Sequence, residues 1–142
     1  MPRMSKITPE AFNAIIGAEL PLAAETDIYL RNLEPGKAEM VLPYSDRLLR
    51  PGGTIAGPFM MLLADVCMYA VALSLLGEVK LAVTTSLNIN FVRKPANSDL
   101  VGVGTVIKMG KRLAVMEVSI FSNDDIVAHA TGTYSIPPTE AA

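Results

Sequence analysis

Apolar residues recur along this chain at several spacings, and each spacing predicts a different element. Phe12, Ile15 and Ile16 fall three and four residues apart, the interval of one helix face. Thr8 precedes them as a capping residue, and Pro9 sits where a missing N–H leaves nothing unpaired. A short helix therefore opens there and ends at Pro21. Residues 26–33 and 37–43 read as two strands joined by the turn sequence Glu34-Pro35-Gly36, which makes them a hairpin. Residues 44–53 form a loop, because Pro51-Gly52-Gly53 cannot lie within a continuous helix.

From 58 to 76 the polar face disappears. Phe59, Met60, Leu62, Val66, Val71 and Leu75 together point in every direction around a helix. Pro58 presets the helical φ angle at its start and Gly77 stops it. A helix apolar all round is one wrapped by other structure. Strict alternation follows: Val83, Thr85, Leu87, Ile89 and Phe91 share one face, with Thr84, Ser86, Asn88 and Asn90 on the other. Residues 100–109, 113–122 and 126–136 are three further strands, separated by Gly110-Lys111-Arg112 and Asn123-Asp124-Asp125. Turns this short exclude a parallel sheet, which needs long crossovers. The expected fold class is α+β, a curved antiparallel sheet wrapped around one long central helix. A chain of 142 residues fits one domain, with flexible ends at 1–7 and 137–142.

Composition adds a partner to this picture. The chain is 51% hydrophobic and only 18% charged, a surplus of apolar surface that a subunit interface would absorb. Its net charge of −2, with no basic run longer than a dipeptide, gives no support to a nucleic-acid surface. The apolar stretch 54–77 is long enough to span a membrane, but Asp65 near its centre would be costly in lipid, so a buried helix is expected. Residues 1–6 carry charge without a following apolar block, so no secretory signal is read and a cytoplasmic location is expected. The single cysteine, Cys67, reads as a small core residue, and no His/Cys/Asp grouping has metal-ligand spacing. His129 lies inside a strand and reads as structural, while Gly102 and Gly104 mark bends or close packing.

Two segments carry a resemblance. Ala56-Gly57-Pro58, an apolar run, then Leu63-Ala64-Asp65 resembles the central-helix motif of hotdog-fold acyl-coenzyme A thioesterases, in the branch related to phenylacetate degradation. Residues 82–95 resemble that family's next strand and residues 130–134 its last one, in matching order over roughly residues 20–136. The resemblance implies a hotdog thioesterase acting on an acyl-CoA thioester, as a dimer or tetramer, with no cofactor beyond the coenzyme A of its substrate. It also implies roles. Asp65 falls where the family places a general base or nucleophile, Gly57 where a helix-start N–H polarises the thioester carbonyl, and Thr84 near a hydroxyl that orients water. Arg93, Lys94 and the turn Gly110, Lys111 and Arg112 fall where relatives meet the coenzyme A nucleotide. The chain departs from the motif at three places: its histidine is Ala56, its second glycine is Pro58, and a polar position often filled by Asn is Arg50, kept as a substrate-binding candidate.

The chemistry constrains how these residues cooperate. Thioester hydrolysis needs an oxyanion donor, a base or nucleophile, and room for one water. A helix N-terminus offers free N–H groups and the positive end of the macrodipole. Asp65 follows Gly57 by eight residues, roughly 12 Å along the axis at 1.5 Å per residue. One carbonyl cannot be served by both in one chain, whereas a two-fold dimer can oppose them. Two other readings remain open: a non-catalytic acyl-CoA binding module, and a hotdog hydratase, which needs a histidine beside the carboxylate.

Overall fold

The computed structural model describes residues 4–138. The elements run α1 (Pro9–Glu19), α2 (Pro21–Thr26), β1 (Tyr29–Glu34), β2 (Lys37–Leu42), a 3-10 turn (Asp46–Leu48), α3 (Gly57–Leu76), β3 (Val83–Phe91), β4 (Leu100–Met109), β5 (Leu113–Ser122) and β6 (Asp125–Ser135). The six strands form one antiparallel sheet in the order β1-β2-β4-β5-β6-β3, and α3 touches all six. The expected curved sheet around a central helix is therefore present. One element departs from expectation. Pro21 ends α1 but also starts α2, where Pro occupies the first helical turn, so β1 begins only after Asp27 turns the chain in the left-handed region.

The sheet fits around α3 because its inner face is made of small residues at the places of closest approach. Ala128, Ala130 and Gly132 alternate inward along β6, and Gly102 and Gly104 along β4. A Cβ added at Gly104 would lie 2.9 Å from the Cys67 sulfur, and one at Gly132 would lie 2.6 Å from the Met68 sulfur. These glycines mark close packing of helix on strand. α3 is long and apolar enough to cross a membrane by length and composition alone, yet most of it is buried by this sheet and by α1.

The two sheet edges are treated differently. At β1, the Asn13 side chain of α1 acts as a substitute peptide group: its amide donates to the Leu30 carbonyl at 3.0 Å and its oxygen accepts from the Leu30 N–H at 2.7 Å. Among the described residues, β3 at the other edge has no such cover. Its nine residues include no charge and no proline, and Val83 and Phe91 are each about half exposed. An uncharged, unblocked edge is a template for another strand.

The outer residues 1–3 and 139–142 of the expected flexible ends lie outside the described residues. Within the first segment, Ile7 is buried and the Lys6 N–H donates to the Ser74 carbonyl at 2.9 Å. Ser74 itself ties α3 to the β1–β2 turn. Its hydroxyl accepts from the N–H of Gly36, which needs glycine for its positive φ, and donates to the Val71 carbonyl. Ser74→Ala leaves the buried Gly36 N–H unpaired, so urea unfolding should show a loss of about 1–3 kcal/mol with an unchanged m value.

Candidate active site

Asp65 is half-buried on α3, two turns beyond Gly57. Two hydroxyls hold one of its oxygens. Thr84 Oγ1 donates to Asp65 Oδ1 at 2.6 Å, and Tyr134 Oη lies 3.0 Å from Oδ1 and 2.8 Å from the Asp65 main-chain carbonyl. Among the described residues no donor meets Oδ2. Asp65 thus has one anchored oxygen and one free to take a proton, and it borders a cleft of about 390 Å3 between α1 and α3.

The sheet register delivers both hydroxyls. Thr84 and Tyr134 are directly paired across β3 and β6, and residues paired this way share a face. Alternation alone places Thr84 and Leu87 on opposite faces, and the structure corrects this. The register shifts between Thr84 and Ser86, a β-bulge that inserts one extra residue. Thr84 and Leu87 therefore both face α3, while the Thr85 hydroxyl bonds the Thr133 carbonyl instead. Bulges re-aim side chains in this way beside functional sites.

Tyr134 is the carboxylate partner that sequence reading missed. Its role needs the pairing register, for which a lone tyrosine in a strand gives no signal. It is 3% exposed, and burial, followed by the charge on Asp65, pushes its phenol well above the usual range. It therefore remains a neutral donor toward the carboxylate. Its ring stacks on Tyr69 with centroids 6.2 Å apart, and Tyr69 in turn meets Phe12 of α1 at 5.7 Å.

Gly57 opens α3 after Ala56, whose side chain makes no capping hydrogen bond, so the helix start offers N–H groups that no side chain satisfies. A Cβ at Gly57 would lie 3.3 Å from the Phe91 ring. Asp65 thus stands at the Thr84 end of β3 and Gly57 at the Phe91 end. The basic candidates also separate. Arg93 and Lys94 follow the Phe91 end, where Arg93 pairs with Asp125 at 3.5 Å. Gly110, Lys111 and Arg112 form the β4–β5 turn at the opposite end, where the Arg112 Nε–H donates to the Ile136 carbonyl at 3.3 Å. Within one chain the two groups are thus roughly 25 Å apart, the length of β3 at about 3.3 Å per residue. Arg50 is exposed in a tight turn, its N–H donating to Thr54 and its carbonyl accepting from Gly53. His129 faces outward beside Glu117 at 3.2 Å, away from Asp65, so no imidazole joins the carboxylate as a hydratase would need.

Comparison with known proteins identifies the family. The profile of the thioesterase superfamily matches residues 52–129, which hold Gly57, Asp65 and Thr84. A solved thioesterase candidate from Silicibacter sp. is 38% identical, covering 97% of this chain and 95% of its own, with a TM-score of 0.82. An esterase candidate of Saccharolobus solfataricus is 30% identical over 77% of this chain and 73% of its own. A Haemophilus influenzae thioesterase shares the fold at a TM-score of 0.86 over 98% of both chains, with 19% identity. The chain belongs to the thioesterase superfamily. It is a hotdog-fold thioester hydrolase.

Removing the Tyr134 hydroxyl tests its hold on the carboxylate. In Tyr134→Phe, kcat should fall about tenfold with little change in KM, a modest share of what a positioned base contributes. Stability supplies a second readout. A phenol raised in the folded state adds stability that is full below the unfolded value near 10.0 and is lost as pH rises beyond it. The wild type should therefore lose stability above pH 10 more steeply than Tyr134→Phe, as followed by thermal melts across that range.

Proposed function

We infer that this protein hydrolyses acyl-CoA thioesters in the cytoplasm, at sites shared by two subunits. The observation that carries this reading is the position of Asp65 and Gly57 at opposite ends of the bare edge strand β3. Antiparallel pairing of two β3 strands about a two-fold axis near Leu87 continues the sheet across the dimer. It also sets each Thr84 end beside the partner's Phe91 end. Asp65 of one chain then works with the helix start at the partner subunit's Gly57. The same pairing draws Gly110, Lys111 and Arg112 toward the partner's Arg93 and Lys94, a joint basic rim for the coenzyme A phosphates. Arg50, near the start of α3, adds a further cation to that side, and two such dimers can associate as a tetramer.

The reaction follows from the parts. Asp65 Oδ2 removes a proton from water, and the hydroxide so formed adds to the thioester carbonyl carbon. Charge develops on the carbonyl oxygen, where the partner's helix-start N–H stabilises it; one such donor is worth about 3–4 kcal/mol. The tetrahedral adduct collapses with cleavage of the C–S bond. The departing thiolate takes the proton from Asp65, leaving the acid and free coenzyme A. Two hydroxyl donors on Oδ1 orient the carboxylate and leave Oδ2 as the atom that takes the proton. No step requires a cofactor or a metal. Neither Ala56 nor Pro58 enters this sequence, so their departure from the family motif leaves it intact.

Asp65→Asn preserves size and removes basicity, so kcat should fall at least about a hundredfold while acyl-CoA binding persists. A folded variant with near-normal kcat would reduce Asp65 to a structural role. A wild type that binds acyl-CoA without releasing thiol would make the protein a binding module.

The shared site has its own test. Gly57→Val sets a branched side chain against Phe91 and disables the helix start. Mixed with Asp65→Asn subunits, it forms dimers with one doubly damaged site and one intact site. Statistical mixing makes about half the dimers mixed, so recovery should approach roughly a quarter of wild-type activity. Subunit exchange is confirmed by mass spectrometry of differently tagged chains. Activity no higher than that of the separate mutants, with exchange proven, would overturn the shared site.

A further inference from the structure

The cleft beside Asp65 has a shape and chemistry that say which part of a thioester it takes. Ile15, Ile16 and Leu20 of the α1 end form one wall, and Val66 and Tyr69 of α3 form the other. Five of its lining residues have polar side chains, and each is already paired. Tyr134 and Asp65 bind one another, the Tyr69 hydroxyl donates to the Lys80 carbonyl at 3.2 Å, and Lys80 Nζ meets Glu19 at 2.7 Å. Away from the solvated Glu19–Lys80 pair at the rim, the outer oxygen of Asp65 is what the cleft leaves to a ligand. A pantetheine arm carries two amides that would lose their water here without finding partners. An alkyl chain loses nothing.

Direction is fixed as well. Tyr69 lies one helical turn beyond Asp65, and its hydroxyl reaches Lys80, which follows the end of α3. The cleft thus runs from the carboxylate along α3 to the Glu19–Lys80 ion pair at its rim. A methylene is close in volume to a water, about 30 Å3. The cleft of about 390 Å3 therefore holds at most about thirteen such groups, and fewer where its open mouth stays with solvent.

We propose that this cleft is the acyl site and selects medium-length aliphatic acyl groups of about six to ten carbons, with Ile15 and the Glu19–Lys80 pair limiting chain length. This rests on the hydrolase reading above and names its substrate class. The thioester carbonyl lies at Asp65 and the methyl end points toward Lys80. Longer chains must displace the ion pair, and very short ones leave the apolar walls wet.

The test is a chain-length series of acyl-CoA thioesters, from acetyl to palmitoyl, with free thiol as readout. For the wild type, kcat/KM should peak between hexanoyl and decanoyl and exceed both ends at least tenfold. Ile15→Trp fills the cleft and should lower the octanoyl-to-butyryl ratio of kcat/KM at least tenfold. Ile15→Ala should move the optimum to longer chains, as should Glu19→Ala with Lys80→Ala, a pair of exposed positions whose removal leaves the core intact. Optima that stay fixed in the folded variants would overturn the acyl site while leaving hydrolysis standing. If no thioester is turned over, titration calorimetry with octanoyl-CoA decides instead: binding at least tenfold weaker in Ile15→Trp supports the site, and equal binding refutes it. With no turnover and weaker binding in Ile15→Trp, the hydrolase reading falls and the acyl site stands.

Discussion

Two hydroxyl groups on one oxygen of a core-helix carboxylate set the terms for the rest of this molecule. α3 is covered by sheet and by α1 because it has no polar side of its own, and Asp65 is its only charged residue. A carboxylate in that setting is expensive unless donors reach it. Thr84 and Tyr134 supply them from neighbouring strands, and they can do so only in one register of β3 against β6. The bulge between Thr84 and Ser86 maintains that register while turning Thr84 inward. The cost of a charge in the core is thus tied to the placement of an edge strand.

That edge strand is held differently from its counterpart. α1 seals β1 through the Asn13 amide and, with its next turns, walls the cleft that reaches Asp65. One short helix therefore closes one side of the sheet to further strands and shapes the ground beside the carboxylate. β3 receives no such cover from the described residues. It pairs with β6 on one side and presents bare backbone and half-exposed Val83 and Phe91 on the other. The same nine residues thus hold Thr84 against the carboxylate and form the uncovered edge of the sheet.

Much of this was legible in the sequence. Short turns after an all-round apolar helix leave few alternatives to an antiparallel wrap, and Thr8, Pro9, Pro58 and Gly77 mark helix ends by local chemistry that tertiary contacts rarely override. Asp65 was legible for the same reason: a lone charge in an apolar helix asks for an explanation. What could not be read was whatever depends on register. The α2 turn hides because Pro21 both stops one helix and starts another. Thr84 was placed on the wrong face because a bulge is invisible to a period of two. Tyr134 gave no signal because its meaning lies in a partner fifty residues away in the chain. Gly57 and the two basic groups were legible as residues, but their separation along β3 emerges only from the folded sheet.

Cys67 has a consequence outside the site. It is the chain's only cysteine, fully buried beneath Gly104, and burial pushes its thiol up to about 12. A thiol so placed presents almost no thiolate at neutral pH and no surface to a reagent. The folded protein is accordingly silent toward disulfide dyes, so a thiol released from any thioester in its presence can be titrated without a background from the protein itself. The same burial keeps the folded protein out of disulfide exchange, since its one cysteine offers no thiol for a cross-link.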